Sequence, residues 1–280
     1  MRSSVKSESF VFNIQQRDSL LFNTGLLFLI ITLMMIALIP MDPRHTPAGI
    51  SPWIKPIKFA LSFSSYLLTM AFFLEYLHIS TQKARFLSRL ITFFMVVEMT
   101  SIILQAVRGT PYYFNVSHLS QPLGSAICYN MCLFMIANII IVANTITAVY
   151  IFYLFFKKTH PLPNAYLWSI RLGIAVFLLS CLEGAFIVFH STHCMEQAIP
   201  GSWGIPFISK APLGDLKTSH FFGIHAMQAL PILGYMVKDK IWGTVAVFFG
   251  TFLYTAIFAS LLIHALIWIP FISCVKPPVQ

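Results

Sequence analysis

Charge is what this chain has least of. Asp, Glu, Lys and Arg together make up 10% of its 280 residues, against about 25% in an ordinary soluble domain. So few charges cannot coat a water-facing surface, which excludes a soluble globular protein. Acidic residues are the scarcest, nine against eighteen Lys and Arg, for a net charge of +9. In a soluble chain that surplus would point to nucleic acid. Here no stripe interleaves basic with aromatic residues in the manner that holds single strands, and no nucleic-acid partner is expected. Cysteine is sparse as well, with five in all and no C-x-x-C or zinc-finger spacing among them. The G-x-S-x-G, H-E-x-x-H, P-loop and G-x-G-x-x-G signatures are all missing. No internal repeat with matching interrupted helices is present, which speaks against a common transporter design.

What the chain has in plenty is apolar bulk. Hydrophobic residues make up 58%, there are 27 Phe, and mean hydropathy is +0.79. A membrane crossing needs about 20 apolar residues, and seven runs qualify: 20–40, 56–77, 89–107, 125–156, 166–189, 220–237 and 242–272. They predict an all-α integral membrane protein, a bundle of about seven transmembrane helices. The sixth run is the shortest and most polar. About eighteen polar residues precede the first run, which is too long for the apolar core of a cleavable signal and reads as a retained span. Residues 1–18 are then an N-terminal tail, 19–272 the membrane domain and 273–280 a C-terminal tail.

Loop charge predicts the orientation. Arg2, Lys6, Arg17, Lys83, Arg85, Arg89, Lys157, Lys158, Lys238 and Lys240 fall on the N-terminal side. The other side carries Arg44, Lys55, Lys58, Arg108, Lys210, Lys217 and Lys276, and three of these sit at span ends. The bias places the N-terminus in the cytoplasm. Cytoplasmic loops are then short and basic, whereas the outer-face loops 41–55, 108–124 and 190–219 are long and rich in Gly, Pro and aromatics. Trp203 and Phe207 suggest that the last of them packs back on the bundle as a lid. Cys194 and Cys274 fall on this outer side and could pair there if it is oxidising. Cys128, Cys132 and Cys181 lie in apolar runs and read as packing residues.

Ionisable groups inside membrane spans are costly and are functional candidates by default. Glu98 and Gln105 lie seven residues apart in the third run, on one helix face, and Arg108 closes that helix. Glu183 in the fifth run shares a face with His190. Lys58 opens the second run ahead of Ser62 and Ser65, and could neutralise either carboxylate. In the sixth run His220 and His225 are roughly 140° apart around a helix. His220 reads as an interfacial residue, whereas His225 and Gln228 share the inward face, with Asp215 as a polar partner at the loop end. His264 in the last run lies at a depth similar to His225, and two imidazoles at one depth on different helices suit a transition metal or a bis-histidine haem b. Arg171 reads as a snorkelling or locally paired residue. Asn130, Asn138 and Asn144 read as hydrogen-bonders between helices.

Three blocks, "KPIKFALS" (55–62), "QAVRGTPYYFN" (105–115) and "GDLKTSHFFGIHAMQALP" (214–231), resemble a group of bacterial multi-pass membrane proteins with no assigned activity. The resemblance covers most of residues 50–235 and implies a bacterial inner-membrane location. The group often has a histidine where Tyr113 stands here, which weakens a ligand role for that loop.

The expectation is an outward-facing polar pocket. Glu98 and Glu183 are its proton-binding carboxylates, and His190, His225 and His264 its metal or haem ligands. Lys58, Gln105, Arg108, Asp215 and Gln228 would orient a small polar or anionic ligand. Three functions fit: a metal- or haem-dependent membrane enzyme of redox or other chemistry, a small proton-coupled transporter using Glu98 and Glu183, or a structural or sensory membrane subunit. Oligomeric state is not legible.

Overall fold

The computed structural model describes residues 18–45, 51–108, 125–157, 160–193 and 216–268, with backbone alone for 125–131, 189–193 and 268. These residues form seven helices: α1 (Ser19–Leu38), α2 (Ile54–Tyr76), α3 (Thr81–Arg108), α4 (Ser125–Lys157), α5 (Asn164–His193), α6 (Leu216–Val237) and α7 (Gly243–Trp268). No strand occurs among the described residues. Six of the helices, all but α6, are long and apolar enough to cross a membrane. The chain is therefore a polytopic helical protein whose natural solvent is a lipid bilayer.

The helices are apolar on every side, so hydrophobicity alone does not say which face turns inward. In α1 the buried stripe is Leu21, Gly25, Phe28, Thr32 and Met35, a spacing of four and three that keeps one face toward the protein. Leu27, Ile30, Leu33 and Met34 on the other sides are exposed, as suits contact with lipid. Small and hydroxylated residues mark the inner stripe. Ser64 of α2 donates to the Gly25 carbonyl at 2.8 Å, and a Cβ on Gly25 would come within 3.0 Å of Leu68. Asp18 caps α1, accepting from the Leu21 amide at 3.2 Å, and also accepts from the Ser88 hydroxyl of α3.

Contacts at the helix ends give the chain its up-and-down course. Tyr76 at the end of α2, Tyr166 at the start of α5 and Tyr235 near the end of α6 stack edge to face, with centroids 5.7 and 5.8 Å apart. His160 joins the same end, its Nδ1 donating to the Tyr76 carbonyl at 2.7 Å. Arg171 donates to the Phe155 carbonyl at 2.7 and 3.1 Å, capping α4, and lies over the Phe156 and Trp168 rings. It is locally paired, as its sequence position predicts. In the middle of the bundle the Tyr66 hydroxyl of α2 donates to Asn144 of α4 at 3.1 Å, and its ring stacks on Phe177 of α5. Asn138 instead donates to the Phe134 carbonyl of its own helix.

At the opposite end, Arg44 binds the Asp42 carboxylate through two guanidinium nitrogens and donates to the Val107 carbonyl in the last turn of α3 at 2.6 Å. Trp53 Nε1 donates to Asp42 at 2.9 Å. This clasp ties the α1–α2 connection to the end of α3 and places a cation at that helix's negative pole.

Among the described residues, α5 and α6 make the most extensive helix contact. Gly234 faces Ser169, Gly223 faces Ser180, Gly173 faces the Ala226 carbonyl, and Gly184 faces the His220 ring. Each pair sums to nearly the same number, the mark of two antiparallel helices in one register. A Cβ on Gly173 would lie 3.0 Å from the Ala226 oxygen and one on Gly184 2.7 Å from His220. Small residues at such spacing let backbones approach where apolar bulk gains nothing over lipid. Pro231 interrupts the hydrogen bonding inside α6, and its ring packs beside Gly173, so the break in the ladder falls against α5.

Two outcomes follow. Gly234→Ala drives a methyl into the Ser169 side chain and should cost about 1–3 kcal/mol, read as a lower thermal midpoint in detergent, and Ser169→Gly should restore it. The Arg44 guanidinium holds the Asp42 carboxyl well below the usual carboxylate range. Its contribution is therefore full above the unfolded value of about 3.9 and is lost as pH falls toward the folded one. The midpoint gap between wild type and Asp42→Asn should be constant above about pH 5 and narrow below about pH 4.

Candidate functional site

The α5–α6 register brings one carboxylate against a set of groups that can exchange protons with it. Glu183 lies on α5 with its side chain 3% exposed. Its Oε1 accepts from the Ser219 hydroxyl of α6, and its Oε2 lies 3.4 Å from the Ser180 hydroxyl, one turn earlier on its own helix. His220 Nδ1 stands 3.8 Å from Oε2. The same Nδ1 is 3.0 Å from the Ser180 carbonyl and 3.1 Å from its hydroxyl. A carbonyl only accepts, so Nδ1 carries a proton.

Each serine has two acceptors for its single hydroxyl proton. Ser180 Oγ is 3.0 Å from the His220 carbonyl, and Ser219 Oγ is 3.0 Å from the Leu216 carbonyl. When Glu183 is charged it can only accept, and both serines can turn to it. When it is protonated, one serine can turn to its carbonyl and accept from the Glu183 hydroxyl, while the other keeps donating to the remaining carboxyl oxygen. The hydrogen-bond set closes in both states, so gaining or losing a proton need not leave a buried group unsatisfied.

The other face of α6 looks toward α2. His225 Nε2 lies 3.3 Å from the Ser62 hydroxyl, and Phe221 packs on its ring at 4.5 Å between centroids. Gln228 Nε2 donates to Thr69 at 3.1 Å, while its Oε1 is buried with no hydrogen-bond partner among the described residues. His220 and His225 point to different helices, as their spacing predicts. Polar groups therefore extend from Glu183 on α5, across α6, to Ser62 and Thr69 on α2.

Other sequence candidates, Glu98, Gln105, Lys58, Arg108 and His264, lie on helices other than α5 and α6. Glu98 is 1% and Gln105 7% exposed on α3, and Gln105 Oε1 is buried without a hydrogen-bond partner among the described residues. Helix α3 packs chiefly on α1, α2 and α4, whereas α5, which carries Glu183, packs chiefly on α4, α6 and α7. Lys58 is half-buried near the start of α2, and Arg108 is exposed at the end of α3. His264 is exposed on α7. Among the described residues no three His, Cys, Asp or Glu side chains are arranged to hold a metal ion. The His190 side chain, Asp215, Cys194, Cys274 and the lid residues Trp203 and Phe207 lie outside the described residues.

Sequence reasoning passed over His220, Ser180 and Ser219. It placed His220 at a helix mouth, but α6 begins at Leu216, so His220 sits beyond its first turn. A signal was available: Ser180-x-x-x-Gly184 and Ser219-x-x-x-Gly223 are matching small-residue pairs, the pattern of close helix contact in membranes. No family model, curated protein or solved structure matches this chain.

Removing the acceptor should cost more than neutralising it. Glu183→Leu removes the Ser219 hydrogen bond that joins α6 to α5 and turns both serines to backbone carbonyls, and should lower stability in detergent by about 1 kcal/mol. Glu183→Gln keeps an acceptor oxygen and should lose less, read from thermal unfolding of the two variants side by side.

Proposed function

We propose that this protein is a small proton-coupled membrane transporter, and that Glu183 with Ser180, Ser219 and His220 is its proton-binding site. The observation that carries this reading is the paired hydrogen-bond choice of the two serines, which accommodates Glu183 with or without a proton. Helix α6 is the element that would respond. It is too polar to count with the other six as a membrane-crossing helix, it carries Pro231, which removes one backbone donor from its interior, and it meets α5 through glycines. Polar, interrupted helices of this kind are tolerated at membrane depth where they line a cavity or are wrapped by protein.

In this reading the chain crosses the membrane seven times, α6 included, with its N-terminus in the cytoplasm as the Lys and Arg bias supports. The Glu183 group then opens toward the outer face, because Ser219 and His220 lie near the outward end of α6. Glu98 is a second protonatable carboxylate. Lys58, Gln105, Arg108, Asp215 and Gln228 orient the solute, a small polar or anionic molecule. Neutral Glu183 and charged Glu183 favour different directions for one of the two serine hydroxyls. Protonation would therefore alter the α5–α6 contact at one end while the glycine contacts below it act as a bearing. A metal or haem held by His225 and His264 has less support, since His225 turns to α2 and His264 is exposed.

The test is purified protein in vesicles carrying an internal pH dye, challenged with a panel of small polar and anionic solutes. The reading expects a solute-dependent proton flux that is lost in Glu183→Gln and strongly reduced in His220→Ala. Flux of equal size in Glu183→Gln would overturn it. Stoichiometric metal or haem absorbance that disappears in His225→Ala would replace it with the enzyme reading.

A further inference from the structure

We infer that a groove between α3 and α4 is a binding site for an anionic phospholipid, separate from the Glu183 group and independent of the transport reading. The groove has a volume of about 340 Å³, and Lys83, Phe86 and Leu90 of α3 and Ile146 and Tyr150 of α4 are among the residues that line it. Lys83, Phe86 and Leu90 are spaced by three and four residues, so they form one stripe on α3. Ile146, Tyr150 and Lys157 form the facing stripe on α4 by the same rule.

The groove lies at the edge of the membrane. Its deepest residues are Leu90, nine residues from the start of α3 at Thr81, and Ile146, eleven residues from the end of α4 at Lys157. Leu90 opens the apolar run 89–107, just past the exposed Arg85 and Arg89, so the groove spans the headgroup layer and the edge of the hydrocarbon core. The upper part of an acyl chain would therefore lie against Phe86, Leu90 and Ile146, with its headgroup beside Lys83.

The mouth determines the headgroup. Lys83 stands at the surface end on α3, and Lys157 closes the α4 stripe at the same end, lying over the Tyr153 ring at 5.4 Å. Two cations on adjacent helices, with apolar walls below, match a phosphate followed by a hydrocarbon tail. Arg85 and Arg89, also exposed, add to the positive field. Tyr150 is partly exposed and lies at the depth where an amphipathic ring meets the interface. No acidic residue occurs in α3 between Thr81 and Glu98 or anywhere in α4, so nothing on these stripes opposes an anion. A zwitterionic headgroup would bring its own cation to the same two lysines, whereas a net anionic one would not.

The experiment uses the full chain purified in detergent. It compares dioleoylphosphatidylglycerol, dioleoylphosphatidylcholine and inorganic phosphate by thermal shift and by native mass spectrometry. The anionic lipid should raise the thermal midpoint and remain bound to the protein, and neither the zwitterionic lipid nor phosphate alone should match it. The double variant Lys83→Ala/Lys157→Ala should weaken binding of the anionic lipid by roughly 10- to 30-fold, the loss expected of two surface basic groups. Leu90→Trp, which fills the groove and leaves both lysines, should weaken it as well. Equal effects of the two lipids, or a preference unchanged in the double variant, would overturn the proposal. So would binding in Leu90→Trp as strong as in wild type. None of these outcomes depends on proton flux.

Discussion

The proton site proposed for this protein depends on how closely α5 and α6 approach. In a bilayer, apolar side chains gain nothing by leaving lipid for another helix, so association rests on close packing and on hydrogen bonds that lipid cannot supply. Here Gly173, Gly184, Gly223 and Gly234 remove the Cβ atoms that would hold the two backbones apart. The same proximity lets Ser219 of α6 reach Glu183 of α5 and lets His220 reach the Ser180 carbonyl. Packing and chemistry are thus one device. The glycines place the carboxylate, and the serines keep it satisfied.

Around that pair the rest of the bundle acts as a frame. The tyrosine cluster at one end and the Asp42–Arg44–Trp53 clasp at the other tie different helices together. Between them Tyr66 joins α2, α4 and α5 through Asn144 and Phe177. Helix α7 is the outlying element. It packs on α6 and α5, and much of its surface, including Phe249, Phe252 and Ile267, is exposed. It adds one hydrogen bond across to α6, from the Tyr254 hydroxyl to the Phe222 carbonyl at 2.7 Å. That bond lies one residue before Gly223, so α6 is held on one side by α7 just where it is smoothest toward α5.

The helical architecture was legible because length and apolarity decide it. All seven runs became helices, and the weakest run by hydropathy is the helix that falls short of the other six. The site was only partly legible. Glu98, Glu183 and Gln105 stood out as buried polar residues in apolar runs, and all three are buried. Their grouping was not readable, because it depends on which face of a uniformly apolar helix turns inward. The similar depth of His225 and His264 carries no information about rotation: His225 turns to Ser62 of α2, and His264 is exposed. His220 was missed for the complementary reason. It looked ordinary by position and acquired its partners from the glycine register, which hydropathy does not register at all.

The central claim is that Glu183 exchanges a proton with its surroundings while remaining inside the protein. Infrared difference spectroscopy of the purified protein in lipid, recorded across a pH titration, reads this directly from the carboxylic-acid carbonyl band. The account predicts a buried carboxyl band that appears and disappears with pH and is missing in Glu183→Gln. It also predicts that the band shifts in frequency in Ser219→Ala, as its hydrogen bond is removed. A titrating band that is identical in wild type and Glu183→Gln, or no titrating carboxyl at all, would contradict it.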